Sequence, residues 1–167
     1  MILYISGHGF RYELENICRL FFPFDKIEVK TELDNWPDTR AVRAVREGGS
    51  LSVRFYDGDF AAEKTDCVSP DIDGFDDECE RLFAVMMYGI FSDYTGMTPK
   101  WGILTGVRPG KLMRRMSDNE GEEKARRYFS EKLLVSDEKI DLALEASRTE
   151  QSIIELSRPD SFSLYVS

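Results

Sequence analysis

Histidine occurs once in this chain of 167 residues, as His8 between two glycines. A serine or cysteine nucleophile needs a base held against it. The chain offers neither a second histidine nor a Gly-x-Ser-x-Gly elbow, so a hydrolase of that kind has no candidate pair. Positive charge is also short: 22 Lys and Arg face 31 Asp and Glu, for a net charge of −9. General nucleic-acid binding, which rests on a basic face, is excluded on that balance. Cysteine is sparse and odd in number. Cys18, Cys67 and Cys79 form no close pair, so neither a disulfide framework nor a zinc site is indicated. They fit a reducing compartment, and a cytoplasmic location is expected. No apolar run approaches the roughly 20 residues of a membrane span, and the N-terminus has no basic segment leading to a cleavage site.

What is present is an ordinary globular composition, 42% hydrophobic and 32% charged, enough for one domain or two small ones with a real core. Met1 to Ser6 reads as a strand closed by Gly7-His8-Gly9, with His8 as a turn residue. Phe10, Leu14, Ile17, Cys18 and Phe21 recur at helical spacing until Pro23. Four candidate strands follow, over 27–33, 39–46, 51–56 and 60–67, punctuated by Gly48-Gly49 and Asp57-Gly58. Both dipeptides are hairpin signals. One apolar and one polar face in the clearest strands argue for a mostly antiparallel sheet with a wet side, covered on the other by the 10–22 helix.

Pro70 to Glu80 holds six acidic residues and no basic ones. Asp76, Asp77 and Glu78 suit the positive end of a helix, and the spacing is not that of a calcium loop. Cys79, Leu82, Phe83, Met86, Met87, Ile90, Phe91 and Tyr94 then mark the clearest helix in the chain, which Gly96 stops. Further on, 110–116 reads as one or two helical turns. Asn119 with Glu122 resembles a cap before a third long helix, and Ser136 a cap before a fourth. Arg158-Pro159-Asp160 breaks that helix, and Ser163–Ser167 begins a new strand. The expected class is α+β: a mostly antiparallel N-terminal sheet with one covering helix, then about four helices.

The densest stretch chemically is Trp101-Gly102-Ile103-Leu104-Thr105-Gly106-Val107-Arg108-Pro109-Gly110-Lys111. From Pro99 to Ser117 there are five basic residues and no acidic ones, a reversal of the chain's overall sign. The run superficially resembles a phosphate-binding P-loop and fails the test. Three residues separate Gly106 from Gly110 where four are needed, Leu112 stands where a hydroxyl would hold magnesium, and Pro109 removes a backbone N–H. The plain structural reading is that Trp101 and Leu104 pack while the arginines solvate. It accounts less well for Arg108, flanked by conformationally special residues as if to aim its guanidinium at a carboxylate or phosphate.

Ten positions in order, Trp101-Gly102-x-Leu104-Thr105-Gly106-Val107-Arg108-Pro109-x-Lys111-Leu112, resemble a motif of the longer oxygen-independent coproporphyrinogen III oxidases, also called coproporphyrinogen dehydrogenases. These are radical S-adenosylmethionine (SAM) proteins of haem biosynthesis. Leu134-Val135-Ser136 with Lys139, and Ser163-Leu164-Tyr165-Val166-Ser167, are similar to two further stretches of that family. Gly110 departs from the threonine of the pattern, which removes any hydroxyl role at that position. The resemblance implies a parent that oxidatively decarboxylates propionates to vinyls with a [4Fe–4S] cluster and S-adenosylmethionine. Three cysteines in a close loop hold such a cluster, and Cys18, Cys67 and Cys79 are too dispersed to match it. Neither a cofactor nor a catalytic residue is therefore expected within these residues. Tyr165 alone matches a family residue near the cofactor, where it contacts S-adenosylmethionine in the full-length protein.

The expected organisation is a small α+β accessory domain over 1–96, a helical connector over 97–160, and over 161–167 the first strand of a radical SAM barrel in the same polypeptide. Trp101, Thr105, Arg108 and Lys111 are the substrate or docking candidates. The expected partners are that barrel and coproporphyrinogen III. The alternatives are a non-catalytic tetrapyrrole-binding or dimerisation module, or the accessory domain of a radical SAM enzyme with another substrate.

Overall fold

The computed structural model describes residues 1–31, 39–106 and 108–156. The expected strand at 163–167 and the expected helix break at Arg158-Pro159-Asp160 lie outside them. Five strands, β1 (Ile2–Ser6), β2 (Glu28–Lys30), β3 (Ala41–Glu47), β4 (Ser50–Asp57) and β5 (Phe60–Cys67), form one sheet in the order β2-β1-β3-β4-β5. The α+β class holds. The pairing is mixed rather than mostly antiparallel: β1 lies parallel to both β2 and β3, while β3–β4 and β4–β5 are antiparallel. The two antiparallel turns fall at Gly48-Gly49 and Gly58-Asp59, where positive φ at Gly48 (60°) and Gly58 (59°) suits tight hairpins.

Two helices, not one, share the inner face. In α1 (Arg11–Phe21) Leu14, Ile17, Cys18 and Phe21 are buried, and in α2 (Phe75–Thr95) Cys79, Phe83, Met87, Ile90 and Phe91. Opposite them, Leu3, Ile5, Val42, Ala44, Leu51, Val53 and Phe55 bring apolar side chains from β1, β3 and β4. Phe55 meets Phe91 edge-on with ring centroids 5.2 Å apart, and Phe22 meets Phe91 likewise at 5.1 Å. Gly96 ends α2 with φ 71°, and its N–H bonds to the Ser92 carbonyl. At the sheet's rim Arg40 Nε donates to Asp57 Oδ2 (2.6 Å) and Nη1 to Asp25 Oδ2 (3.0 Å), with the guanidinium 4.6 Å over the Phe22 ring.

His8 is built into this core as a neutral ring. It stacks against both Phe10 (4.9 Å) and Phe83 (4.5 Å). Nδ1 accepts the Phe10 N–H at 3.3 Å, which assigns the ring proton to Nε2, 3.3 Å from the Ala44 carbonyl. Burial is the main cause that lowers its pKa from 6.5 to about 4.

The second half is helical. Following α3 (Pro109–Glu120), α4 (Glu122–Arg127) continues into a π-helical turn over Tyr128–Lys132, and α5 (Asp137–Leu156) closes the described chain. Met113, Ala125, Phe129, Leu133, Val135, Ile140, Ala143 and Leu144 are buried, in one apolar cluster continuous with the core under the sheet. Two boundaries differ from the sequence reading. α3 is three turns rather than one or two, because it packs on α4 and α5 with Met113 buried in the shared apolar cluster, and no breaker intervenes before Gly121 (φ 91°). Asn119 therefore sits inside α3 and caps nothing. Ser136 does precede α5, but its hydroxyl makes no hydrogen bond and the backbone carbonyl alone receives the Lys139 and Ile140 N–H groups.

Candidate functional site

The Trp101–Lys111 stretch opens with a loop clamped to the segment before α5. The Ile103 N–H donates to the Leu133 carbonyl at 2.9 Å, and the Ser136 N–H to the Lys100 carbonyl at 2.9 Å. Gly102 takes φ 58°, and a Cβ there would stand 1.9 Å from the Leu133 carbonyl oxygen. Only glycine fits so close an approach at that angle. Leu134 on the opposite side is itself left-handed, at φ 59°, a sparsely populated region for a branched residue. The two sequence stretches around Gly102 and Leu134 are thus one structural unit. Lys139 holds its Nζ 5.6 Å over the Trp101 ring, and Lys100 pairs with Glu138. Trp101 is half-buried and works here as packing.

Beyond Gly106 the chain turns into α3 through Arg108, which is extended (φ −87°, ψ 105°) as the residue before a proline must be. Pro109 takes the first helical position, where a missing N–H costs nothing. Arg108, Lys111 and Arg115 follow at steps of three and four, which places them on one face over about 10 Å of helix axis. All three are exposed, and none makes an ion pair with a described residue. By contrast, Arg40, Arg46, Arg81, Arg126 and Arg148 each hold a carboxylate at hydrogen-bond distance. Arg114, one step round the helix, stands 3.9 Å from Glu150. With Leu112, Arg114, Asn119 and one carboxylate, Asp118, these cations border an open cleft of about 560 Å³. On the other flank Arg108 and Lys111 also border a broader depression between α3 and α5, floored by Leu142 and Ala146 and lined as well by Glu145 and Glu150. The arrangement can hold an anionic group, or two anionic groups separated by an apolar body resting on Leu112.

Thr105 does not join them. It lines a separate groove of about 350 Å³ between α1 and α2, with Tyr12, Glu13, Glu80, Arg81 and Tyr128. Burial, backed by the like charges of Glu13 and Asp77, lifts the Glu80 carboxyl above its usual range. Arg81 is held by Glu78 through two bonds of 2.6 and 2.8 Å. This groove was not legible beforehand, because its walls come from helices about 65 residues apart in the chain. Of the four candidates, then, Arg108 and Lys111 share a cleft, Thr105 faces another groove and Trp101 packs. Tyr165 lies outside the described residues.

The iron–sulfur cluster implied by the resemblance does not fit the cysteines here. Cys18 and Cys79 are fully buried on α1 and α2, while Cys67 is exposed at the end of β5. Burial pushes the Cys18 thiol well up, away from the thiolate that iron takes. Among the described residues no three His, Cys, Asp or Glu side chains are grouped to hold a metal ion.

Fold and site together define an α+β protein in which Arg108, Lys111 and Arg115 form an exposed row of cations at α3, on a chain of net charge −9. A stretch of 92 residues, 53% of the chain, is 32% identical to the oxygen-independent coproporphyrinogen-III oxidase-like protein HemZ of Bacillus subtilis (strain 168), and it spans 18% of that protein. Over this stretch the chain is related to a coproporphyrinogen oxidase-like protein. No family model matches the chain. No solved structure matches it either. Among the described residues no helix is long and apolar enough to cross a membrane.

Proposed function

We propose that this chain is the N-terminal accessory domain of a radical SAM coproporphyrinogen III oxidase-like protein in porphyrin biosynthesis. Its task is to dock onto the catalytic barrel or to position the substrate. In this reading the [4Fe–4S] cluster and S-adenosylmethionine belong to the barrel, and the parent converts propionates to vinyls. The similarity to HemZ supports the family, since it covers half of this chain and under a fifth of that protein. The observation that carries the role is the row Arg108, Lys111 and Arg115, exposed and without a described ion partner beside a 560 Å³ cleft. Cations kept out of internal pairs on so acidic a chain suit a partner that brings carboxylates, and a tetra-carboxylate substrate does so.

The test is Arg108→Ala in the full-length enzyme. Each version predicts a loss of about 1.5–3 kcal/mol, the range of a hydrogen bond to a charged group. It falls on substrate affinity if the cleft holds a propionate, and on association of this domain with the separately expressed barrel if the cleft docks. Unchanged values for both would refute the proposal. The second reading, a non-catalytic tetrapyrrole-binding module, is favoured by the apolar floor that Leu112 gives the cleft. Saturable binding of coproporphyrin to this chain, abolished by Lys111→Ala with Arg115→Ala, would select it.

A further inference from the structure

Among the described residues no strand pairs with the outer edge of β5. All eight residues from Phe60 to Cys67 pair with β4 in unbroken register. They include no proline, no glycine and no bulge, so that of the devices that ordinarily blunt a sheet edge only charge is present, at Glu63, Lys64 and Asp66. Residues 61 and 63–67 are exposed. The register also fixes which backbone groups the edge presents. Asp57 and Phe60 bracket a two-residue turn and so form a hydrogen-bonded pair, after which bonded and non-bonded pairs alternate. The Val68 N–H to Gly49 carbonyl bond, 2.8 Å, keeps the same phase at the far end. Ala61, Glu63, Thr65 and Cys67 therefore turn their N–H and C=O groups outward.

We propose that this edge pairs with the same edge of a second copy, antiparallel and centred on Thr65, to make a continuous ten-stranded sheet. A two-fold axis perpendicular to the sheet keeps each face on its own side, so only registers centred on a residue are allowed. Centring on Glu63 opposes Glu63 to itself, and centring on Lys64 opposes Lys64 to itself. Centring on Ala62 opposes no charges. Centring on Thr65 alone sets Lys64 of each copy against Asp66 of the other, with two threonines between them. Opposite charges and paired threonines are favourable cross-strand neighbours. Both charged groups can be released for the purpose. Lys64 holds Asp93 only at 3.9 Å, between exposed groups. Asp66 Oδ1 accepts the Cys67 N–H at 2.7 Å, a donor that the Glu63 carbonyl of the other copy would take over. The pairing uses neither the α3 cleft nor the relationship to HemZ.

The experiment is disulfide trapping together with sedimentation of the whole chain. In a Cys67→Ser background, Thr65→Cys places the two sulfurs on a directly opposed pair with Cα atoms about 5.5 Å apart, within disulfide range. Ala61→Cys places them eight residues apart along the edge, about 27 Å. Rapid oxidation to a dimer at 65 and not at 61 is expected. Lys64→Asp, which opposes two acids, weakens dimerisation by about tenfold or more, and Lys64→Asp with Asp66→Lys restores it. Three outcomes would overturn the pairing: a chain monomeric up to about 1 mM, trapping no faster at 65 than at 61, or a double exchange that fails to rescue. The first is also the result expected if Lys64 guards the edge against partners.

Discussion

Gly102→Ala is the change to which the clamp between the two loops is most exposed. Two effects add. An alanine at φ 58° enters the left-handed region, at about 1–2 kcal/mol. Its Cβ would also stand 1.9 Å from the Leu133 carbonyl oxygen and 2.5 Å from the Leu134 carbonyl carbon, and both obstacles are backbone. Neither can rotate away as a side chain would, so the loops must part. Parting them strains the Ile103–Leu133 and Ser136–Lys100 hydrogen bonds, worth about 1 kcal/mol each. The sum is about 3–4 kcal/mol. At about 2 kcal/mol per molar of urea, the unfolding midpoint should fall by about 1.5–2 M with little change in slope. Gly110→Ala is the matched control. Its Cβ meets Ala146 Cβ and the Ser147 nitrogen at 3.5 Å, ordinary contact, with no positive φ. Helix propensity makes that substitution neutral or stabilising by up to about 1 kcal/mol. Urea titrations followed by far-UV circular dichroism separate the two. A loss below about 1 kcal/mol at Gly102, or a larger loss at Gly110 than at Gly102, would refute the clamp.

His8 should make the fold acid-sensitive. Its folded pKa of about 4 lies below the ordinary 6.5, so the unfolded chain binds the extra proton between these values and stability falls as pH drops from about 6.5 towards 4. Allowing for partial exposure, the loss is about 1–3 kcal/mol; His8→Phe should flatten that part of the profile, and an unchanged slope would refute the assignment. The thiols should differ sharply in reactivity. Cys67 is exposed while Cys18 and Cys79 are buried, so a thiol reagent should titrate one cysteine in the native chain and the other two only on unfolding; two fast thiols would contradict the packing of α1 or α2. Arg40→Met should destabilise by about 1–3 kcal/mol, because Asp57 then keeps only the Tyr94 hydroxyl and Asp25 only the N-terminal ammonium at 3.8 Å; thermal unfolding measures this, and a neutral effect would show the cluster to be dispensable.

The parts of the fold that the sequence announced are those governed by neighbours along the chain. Gly48-Gly49 and Asp57-Gly58 placed both hairpins, and the spacing from Cys79 to Tyr94 placed α2 with Gly96 as its end. What escaped was decided across the chain. The alternation of Ile27, Val29 and Thr31 marks a strand but is silent on whether its neighbour runs parallel, and β1 took a parallel partner on each side. Ser117, Asp118 and Asn119 have the local chemistry of a helix end, yet packing of α3 on α4 and α5 carried it past them. In the site, the run of cations was plain in the sequence, as was the peculiarity of Arg108. That Gly102 owes its identity to Leu133, about thirty residues on, could not be read from either stretch alone.

The placement of β1 has a consequence for the order in which the chain can assemble. It comes before the other four described strands in the chain, yet it ends between two strands that follow it, and its whole length is paired to β3. As the chain emerges during synthesis, residues 2–6 meet only the three-residue β2 as a parallel partner, about twenty residues on, until β3 follows about thirty-five residues after Ser6. The β3–β4–β5 meander, by contrast, needs only its own two turns. Local pairing comes cheaply in chain entropy and distant parallel pairing does not. The meander is therefore the piece expected to form first, offering β3 as a template. The opening strand then arrives last, carrying α1 with it, and seals the core that the later segments have already begun.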